Sequence, residues 1–247
     1  MSGNFNDERE AGTDNILLST NTKYELTCLY LNARSVLNKL DIFHATVDAT
    51  KPDIIGITET WAHDDVIDAE LNIDGYIMFR CDRVLKKVSR GGGVLLFVKE
   101  ELAPVEFYPR TEYPEHVWCK LIDSHLSELY IGVCYRSTSD VYEGDVNQLL
   151  RNLIVEMSSN RMLIMGDLNY PEIDWDTHQP APQAAIEVQQ FMDCVDGNFL
   201  LQHIRQPTRK DNILDVALTN EPGLVSDVEV VDCLSTSDHN MITWSIQ

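Results

Sequence analysis

The chain has 247 residues, 44% hydrophobic and 24% charged, which is enough to bury a sizeable core and excludes fibrous or low-complexity classes. Lys and Arg number 19 against 40 Asp and Glu, a formal net charge of -21 that argues against holding nucleic acid mainly by bulk phosphate neutralisation. The same balance is compatible with a site that holds a divalent cation on carboxylates.

The polar, acidic start, residues 1–23, reads as a disordered tail with no apolar segment of a secretory signal. Strands and helices then follow without a long linker. "YELTCLYLN" (24–32) alternates like a half-buried strand, "VLNKLDIFHATVDAT" (36–50) has helical spacing, and "PDIIGITE" (52–59) is a strand ending on an acid. Segment 63–74 reads as a solvated loop or short helix. Strands are predicted at 75–82, 92–99, 116–122 and 129–136, a helix at 145–157, and a strand at 161–169. A helix at 184–197, with Gly197 as C-cap, precedes strands at 213–219, 225–232 and 241–246. So many consecutive strands predict mixed sheets packed on one another with helices outside, in one domain over residues 24–247.

The six cysteines (Cys28, Cys81, Cys119, Cys134, Cys194, Cys233) include no C-x-x-C pair. Cys28, Cys119 and Cys134 fall inside apolar strands, so reduced core thiols in a reducing, intracellular compartment are expected. No stretch approaches the roughly 20 apolar residues of a membrane span.

Polar residues of metal- or phosphate-binding type close several strand-like runs: Asn32, Glu59, Tyr135, and Asp167 with Asn169. Asp215 interrupts "ILDVAL", where a buried carboxylate needs a partner, and the histidine of the pair Asp238-His239 would supply one. Each has a plainer reading. Asn32 would cap the next helix, Glu59 would be a surface acid, Tyr135 a strand-end aromatic, and "GDLN" or "SDHN" a turn. The ordered set favours one shared cleft. Trp61 and Trp175 read as loop or core anchors, and the remaining histidines show no ligand spacing.

"LNARS", "ITETW", "RGGGVLLFV", "CYR", "GDLNYPEIDW", "QPTRKDNILDVALTN" and "SDHNMI" together resemble the endonuclease domain of LINE-type (non-LTR) retrotransposons. The similarity is greatest to the jockey-like and chicken-repeat-like lineages. That domain belongs to the endonuclease/exonuclease/phosphatase superfamily, alongside apurinic/apyrimidinic endonucleases and pancreatic-type DNase. The resemblance runs from about residue 25 onward. It implies a four-layered α/β sandwich, two packed mixed sheets flanked by helices. It also implies DNA as substrate, nicking that leaves a 3′-hydroxyl, Mg²⁺ (or Mn²⁺) as cofactor, a monomer, and action in the nucleus. Glu59 would hold the cation with Asn32 close by. Asp167 would position or deprotonate the attacking water, and Asn169 would orient the water or the phosphate. His239, oriented by Asp215, would act on the phosphate as acid or base, and Tyr135 would hydrogen-bond the phosphate. Asp238 would complete the metal or histidine surroundings, and Thr208 would order the site.

Two basic patches are candidates for DNA contact: Arg80, Arg83, Lys86, Lys87 and Arg90 in "RCDRVLKKVSR", and Arg209 near Thr208, with Arg205 and Lys210. A solvated hairpin loop is the alternative for the first. "YRSTSD" lacks the prolines usual after the tyrosine in this lineage. No reverse-transcriptase region follows the last strand, so this stretch would cut DNA without copying RNA into it. Competing expectations are a phosphoesterase of the same superfamily on another substrate and a catalytically silent, host-retained binding module.

Overall fold

The computed structural model describes Met1 and residues 25–84, 91–122, 127–138 and 142–247. Lys86, Lys87, Arg90 and, Met1 apart, the expected tail lie outside the described residues.

In chain order the elements are β1 (Leu26–Asn32), α1 (Leu40–Thr50), β2 (Ile54–Thr58), α2 (Asp68–Leu71), β3 (Tyr76–Cys81), β4 (Val94–Lys99) and β5 (Val105–Phe107). They continue with β6 (His116–Ile122), β7 (Glu128–Tyr135), α3 (Val146–Met157), β8 (Met162–Asp167), β9 (Ile173–Asp174) and β10 (Gln179–Pro180). The last are α4 (Ile186–Gly197), β11 (Leu201–Gln202), β12 (Asp215–Thr219), β13 (Val225–Cys233) and β14 (Asn240–Ile246). The longer elements stand where the periodicity predicts them. The short α2, β5, β9, β10 and β11 hold too few residues to show a period.

Two six-stranded mixed sheets form, in the orders β13-β14-β1-β2-β4-β3 and β11-β12-β8-β7-β6-β5. Each has one parallel pair at its centre, β1 with β2 and β7 with β8, and antiparallel pairing elsewhere. A parallel pair needs a crossover, which α1 and α3 supply. Strand alternation then assigns the layers. Cys28, Tyr30 and Ile54 of one sheet meet Ile131, Val133, Leu163 and Met165 of the other in a shared core. Leu29, Leu31, Ile55 and Ile57 face outward under Phe43 and Val47 of α1. On the opposite side, Ile164, Val216 and Leu218 pack under Leu150, Ile154, Phe191 and Val195 of α3 and α4. The result is the predicted four-layered α/β sandwich. All six cysteines are free thiols, and Cys28, Cys119 and Cys134 are buried. No described helix is long and apolar enough to cross a membrane.

One helix end differs from expectation. Gly197 is the last helical residue of α4, and Asn198 is the cap. The Asn198 side chain donates back to the Cys194 carbonyl at 2.7 Å, and the left-handed residue after it is Phe199 (φ 55°). A side-chain amide closes this helix in place of a glycine.

Two glycines set how closely strands approach. A Cβ on Gly56 would come within 2.3 Å of Met165 Sδ in the facing sheet. On Gly166 it would lie 1.8 Å from the Cys134 carbonyl oxygen, a backbone atom that cannot swing aside. Gly166→Ala is therefore expected to destabilise the fold by at least about 2 kcal/mol, read as a lower urea midpoint at unchanged slope. A midpoint equal to that of the parent chain would contradict this packing.

Candidate active site

Registry brings the polar strand ends together. Tyr135 is paired with Asp167, and Asp167 with Asp215, so three adjacent strands carry these side chains in one row. In the other sheet Asn32 is paired with Thr58. Because alternation turns Tyr30, Asn32 and Thr58 inward, they face that row across the inter-sheet gap.

The bonds across the gap are specific. Asn32 Nδ2 donates to Asp167 Oδ2 at 2.8 Å, and the Asn169 amide donates to Asp167 Oδ1 at 3.1 Å. Asp215 Oδ1 accepts from Tyr30 Oη at 2.9 Å, and its Oδ2 lies 2.8 Å from His239 Nδ1. Tyr30 Oη is also 2.7 Å from Thr58 Oγ1. His239 Nε2 is left 3.9 Å from Asp167 Oδ2. Asp167, Asp215 and His239 are 2%, 0% and 3% exposed. Thr208, fully buried, accepts from the Leu214 and Asp215 amides through Oγ1, so it fixes the start of β12.

Glu59 sits on the loop after β2. Its Oε2 accepts from Trp61 Nε1 and, at 3.2 Å, from the Gly92 amide, and its charge acts on the Tyr135 hydroxyl. The loop after β1 runs alongside, with the Ala33 and Ser35 amides donating to the Thr58 and Glu59 carbonyls at 2.9 and 2.8 Å. Backbone bonds thus tie Glu59 to the loop that follows Asn32, and Asn32 in turn holds Asp167. Backbone strain gathers here: Arg34, Ser35, Glu59, Trp61 and Asn169 all have φ between 41° and 75°. Each such non-glycine residue costs about 1 kcal/mol or more and persists only where its surroundings impose it.

Electrostatics follow from burial. Burial and the neighbouring Asp215 charge hold Asp167 well above the usual carboxylate range. For His239, burial disfavours the charged ring, but the Asp215 hydrogen bond and the charges of Asp215, Asp167 and Asp238 outweigh it and raise its pKa. Burial and Glu59 push the Tyr135 hydroxyl up. With Asp167 ionised, two buried carboxylates against one histidine would carry an excess of negative charge that a cation would offset. Asp167, Asp215 and His239 present ligand atoms within 4.8 Å of one another. Asp215, however, has both oxygens committed to Tyr30 and His239. The Glu59 and Asp167 carboxylates with the Asn32 amide are the better fit to a hard divalent cation, because all are oxygen donors.

Other candidates are placed differently. Asp238 lies at the rim, 30% exposed, with Oδ2 on Arg34 (2.9 Å) and Arg209 (2.6 Å). The arginine bonds outweigh its partial burial and lower its pKa. Arg80 and Arg83, two of the candidates for DNA contact, are engaged by carboxylates of the protein. Arg80 spends its guanidinium on Asp68, Asp82 and the Val66 and His63 carbonyls. Arg83 is 6% exposed and donates through Nε to the buried Glu115 at 2.8 Å. Their carboxylate partners outcompete solvent for these donors. Trp175 is buried, as an anchor should be. Tyr30, Thr58, Trp61 and Arg34 were not singled out as site residues. Tyr30 shares a face with Cys28 and Asn32, a period-two signal that would have found it. A separate groove of about 670 Å³, lined by Trp175, Pro180, Arg205, Asp211 and Ile213 among others, contains none of the buried cluster.

Comparison with known proteins bears on the family and on the fold. The Endonuclease/Exonuclease/phosphatase family profile matches residues 18–239. Among solved structures, the AP endonuclease LMAP of Leishmania major superposes with a TM-score of 0.71 at 15% identity, over 90% of this chain and 88% of that one. The endonuclease domain of TRAS1, a telomere-specific non-LTR retrotransposon, gives 0.68 at 16% identity, over 91% and 99%. The 3′ phosphatase NExo of Neisseria gives 0.63 at 16%, over 90% and 99%. At these identities the likeness is one of fold. No curated protein compared with the chain gives a significant match.

The Asp215–His239 pair carries a pH prediction. His239 is raised above its unfolded value, so its contribution to stability is complete below about pH 6.5 and fades as pH rises through the folded pKa. A ring titration by NMR should give a midpoint above about 6.5, and Asp215→Asn should lower it. An unmoved midpoint in that variant would break the assigned pairing.

Proposed function

The chain belongs to the Endonuclease/Exonuclease/phosphatase family, whose members hydrolyse phosphoester bonds, and on that premise we propose that it is a Mg²⁺-dependent DNA endonuclease of retrotransposon origin. The observation that carries the reading is the buried pairing of Asn32 with Asp167 and of Asp215 with His239 at one end of the inter-sheet gap, with Glu59 on the loop beside it. The motifs "GDLNYPEIDW" and "QPTRKDNILDVALTN" support the retrotransposon branch and its jockey-like lineage, and the fold shared with the TRAS1 domain is in keeping with it. Residues 24–247 would act as one catalytic unit.

Glu59 and Asn32, with Asp167, would hold the cation, which supplies neutralisation of charge developing on the phosphate. Asp167, held by the Asn32 side chain and the Asn169 amide, would position the attacking water and take its proton. Asn169 is fixed by its side chain on the Arg136 carbonyl at 2.9 Å and orients that water. His239, its Nδ1 tied to Asp215, presents a protonated Nε2 to a phosphate oxygen, and the Tyr135 hydroxyl donates to another. Water adds to phosphorus as its proton passes to Asp167, the bond to O3′ breaks, and O3′ takes up a proton from solvent. The products are a 5′-phosphate and a 3′-hydroxyl, which in a retroelement primes reverse transcription in the nucleus. Mn²⁺ would substitute for Mg²⁺ on the same oxygen donors, and a monomer suffices because every named group comes from one chain.

Supercoiled plasmid incubated with the chain should be nicked in Mg²⁺ and left intact in EDTA. Glu59→Gln and His239→Gln, shown folded by circular dichroism, should each lose about 100-fold or more in rate. A folded wild-type chain that nicks nothing at low salt with Mg²⁺ or Mn²⁺ would overturn the DNA reading and favour another phosphoester substrate.

A further inference from the structure

Three segments meet at the rim of the site beside His239. Arg34 comes from the loop after β1, Arg209 from the turn before β12, and Asp238 from the loop before β14. Both guanidinium groups converge on the same oxygen: Arg34 Nη1 at 2.9 Å, Arg209 Nε at 2.8 Å and Nη2 at 2.6 Å, all to Asp238 Oδ2. The side chains stay open to solvent, 47% for Arg34 and 36% for Arg209. One carboxylate thus gathers two cations, a net positive rim on a chain of net charge -21. Two guanidinium groups drawn this close repel one another, and a second anion would relieve the excess.

The loop that presents Arg34 is rigidly held. Arg34 and Ser35 are both left-handed, at φ 41° and 75°. Beneath them the buried Lys39 ammonium donates to three successive carbonyls, those of Ala33, Arg34 and Ser35, at 2.7, 2.8 and 3.2 Å. The Arg34 amide donates to Asn32 Oδ1, so the same loop also sets the site side chain that grips Asp167. On the other strand of the rim, the Asn240 amide donates to the Thr208 carbonyl, tying the Arg209 turn to the His239 loop. A pinned, strained backbone presenting a half-exposed arginine is preorganised for a ligand. An arginine has five N–H donors in a planar fork that matches phosphate, and Asp238 engages only some of them on each.

We propose that Arg34 and Arg209, bracketed by Asp238, form a notch for a second phosphate of the DNA strand, flanking the one that is cut. The notch rests on the nuclease reading and adds to it a register: the phosphate in the notch fixes which neighbouring diester reaches His239. Asp238 then serves as the bracket of an anion subsite and not as a metal ligand.

The test is duplex binding in EDTA across a salt series, with Arg34→Gln and Arg209→Gln beside the wild type, followed by steady-state nicking in Mg²⁺. Each substitution should make the slope of log K against log salt shallower by about one and weaken binding about fivefold or more at low salt. In nicking, KM should rise more than kcat falls. A single methylphosphonate stepped along the cut strand should cost the wild type affinity at one flanking position and cost Arg34→Gln nothing there. Two folded variants that keep the wild-type slope and KM would overturn the notch while leaving a nicking wild type, and with it the nuclease reading, intact. Asp238→Asn that raises the Mg²⁺ needed for half-maximal nicking, with both arginine variants silent, would overturn it in favour of Asp238 as a ligand. A wild type that neither binds nor nicks duplex overturns notch and nuclease reading together.

Discussion

Burial of Asp167 and Asp215 between two apolar sheets is the constraint on which the arrangement turns. Neither carboxylate can stay in that gap without hydrogen-bond donors, and the donors come from the opposite sheet: Asn32 for Asp167, Tyr30 for Asp215. His239, on the loop just before β14, completes the second pair. Breaking a buried pair on one side leaves an uncompensated charge and costs about 3–5 kcal/mol. The same bonds that make the polar end tolerable therefore lock the two sheets in register and hold the groups that would do the chemistry. Stability and site geometry are one problem here, with one solution.

Strain sits where that solution demands it. Glu59 and Asn169 take left-handed backbone without being glycine, and each lies one or two residues past the end of a central parallel strand. Parallel strands end together at the same edge of a sheet, so their exit loops crowd, and the side chains that must point back into the gap do so at a cost in φ. The Gly91–Gly93 turn makes room for this: the Gly92 amide reaches Glu59 and the Gly93 amide reaches Glu115 at 2.6 Å.

Much of this was legible in the sequence, for identifiable reasons. The strands that build the sheets are apolar runs with clear period, and the polar residues closing them stood out because an apolar neighbour would pack better. Asp215 in "ILDVAL" is the plainest case: its identity alone demanded a partner, and His239 is that partner. Pairing between distant strands is not written in local pattern, so the row Tyr135–Asp167–Asp215 had to come from the fold. Arg83 shows the limit most sharply. A basic run reads as a solvent-facing patch, yet this arginine turns inward to Glu115, a residue 32 positions away in an unremarked loop. Charge pattern gives sign and spacing along the chain; it does not give the long-range partner that decides which cations remain open.

The indole of Trp61 donates directly to the Glu59 carboxylate. Whatever changes the charge or occupancy of that carboxylate changes the electrostatic field on the ring that is bonded to it. The indole is thus a neighbour whose electronic surroundings are coupled to the acid that matters most to the proposed chemistry.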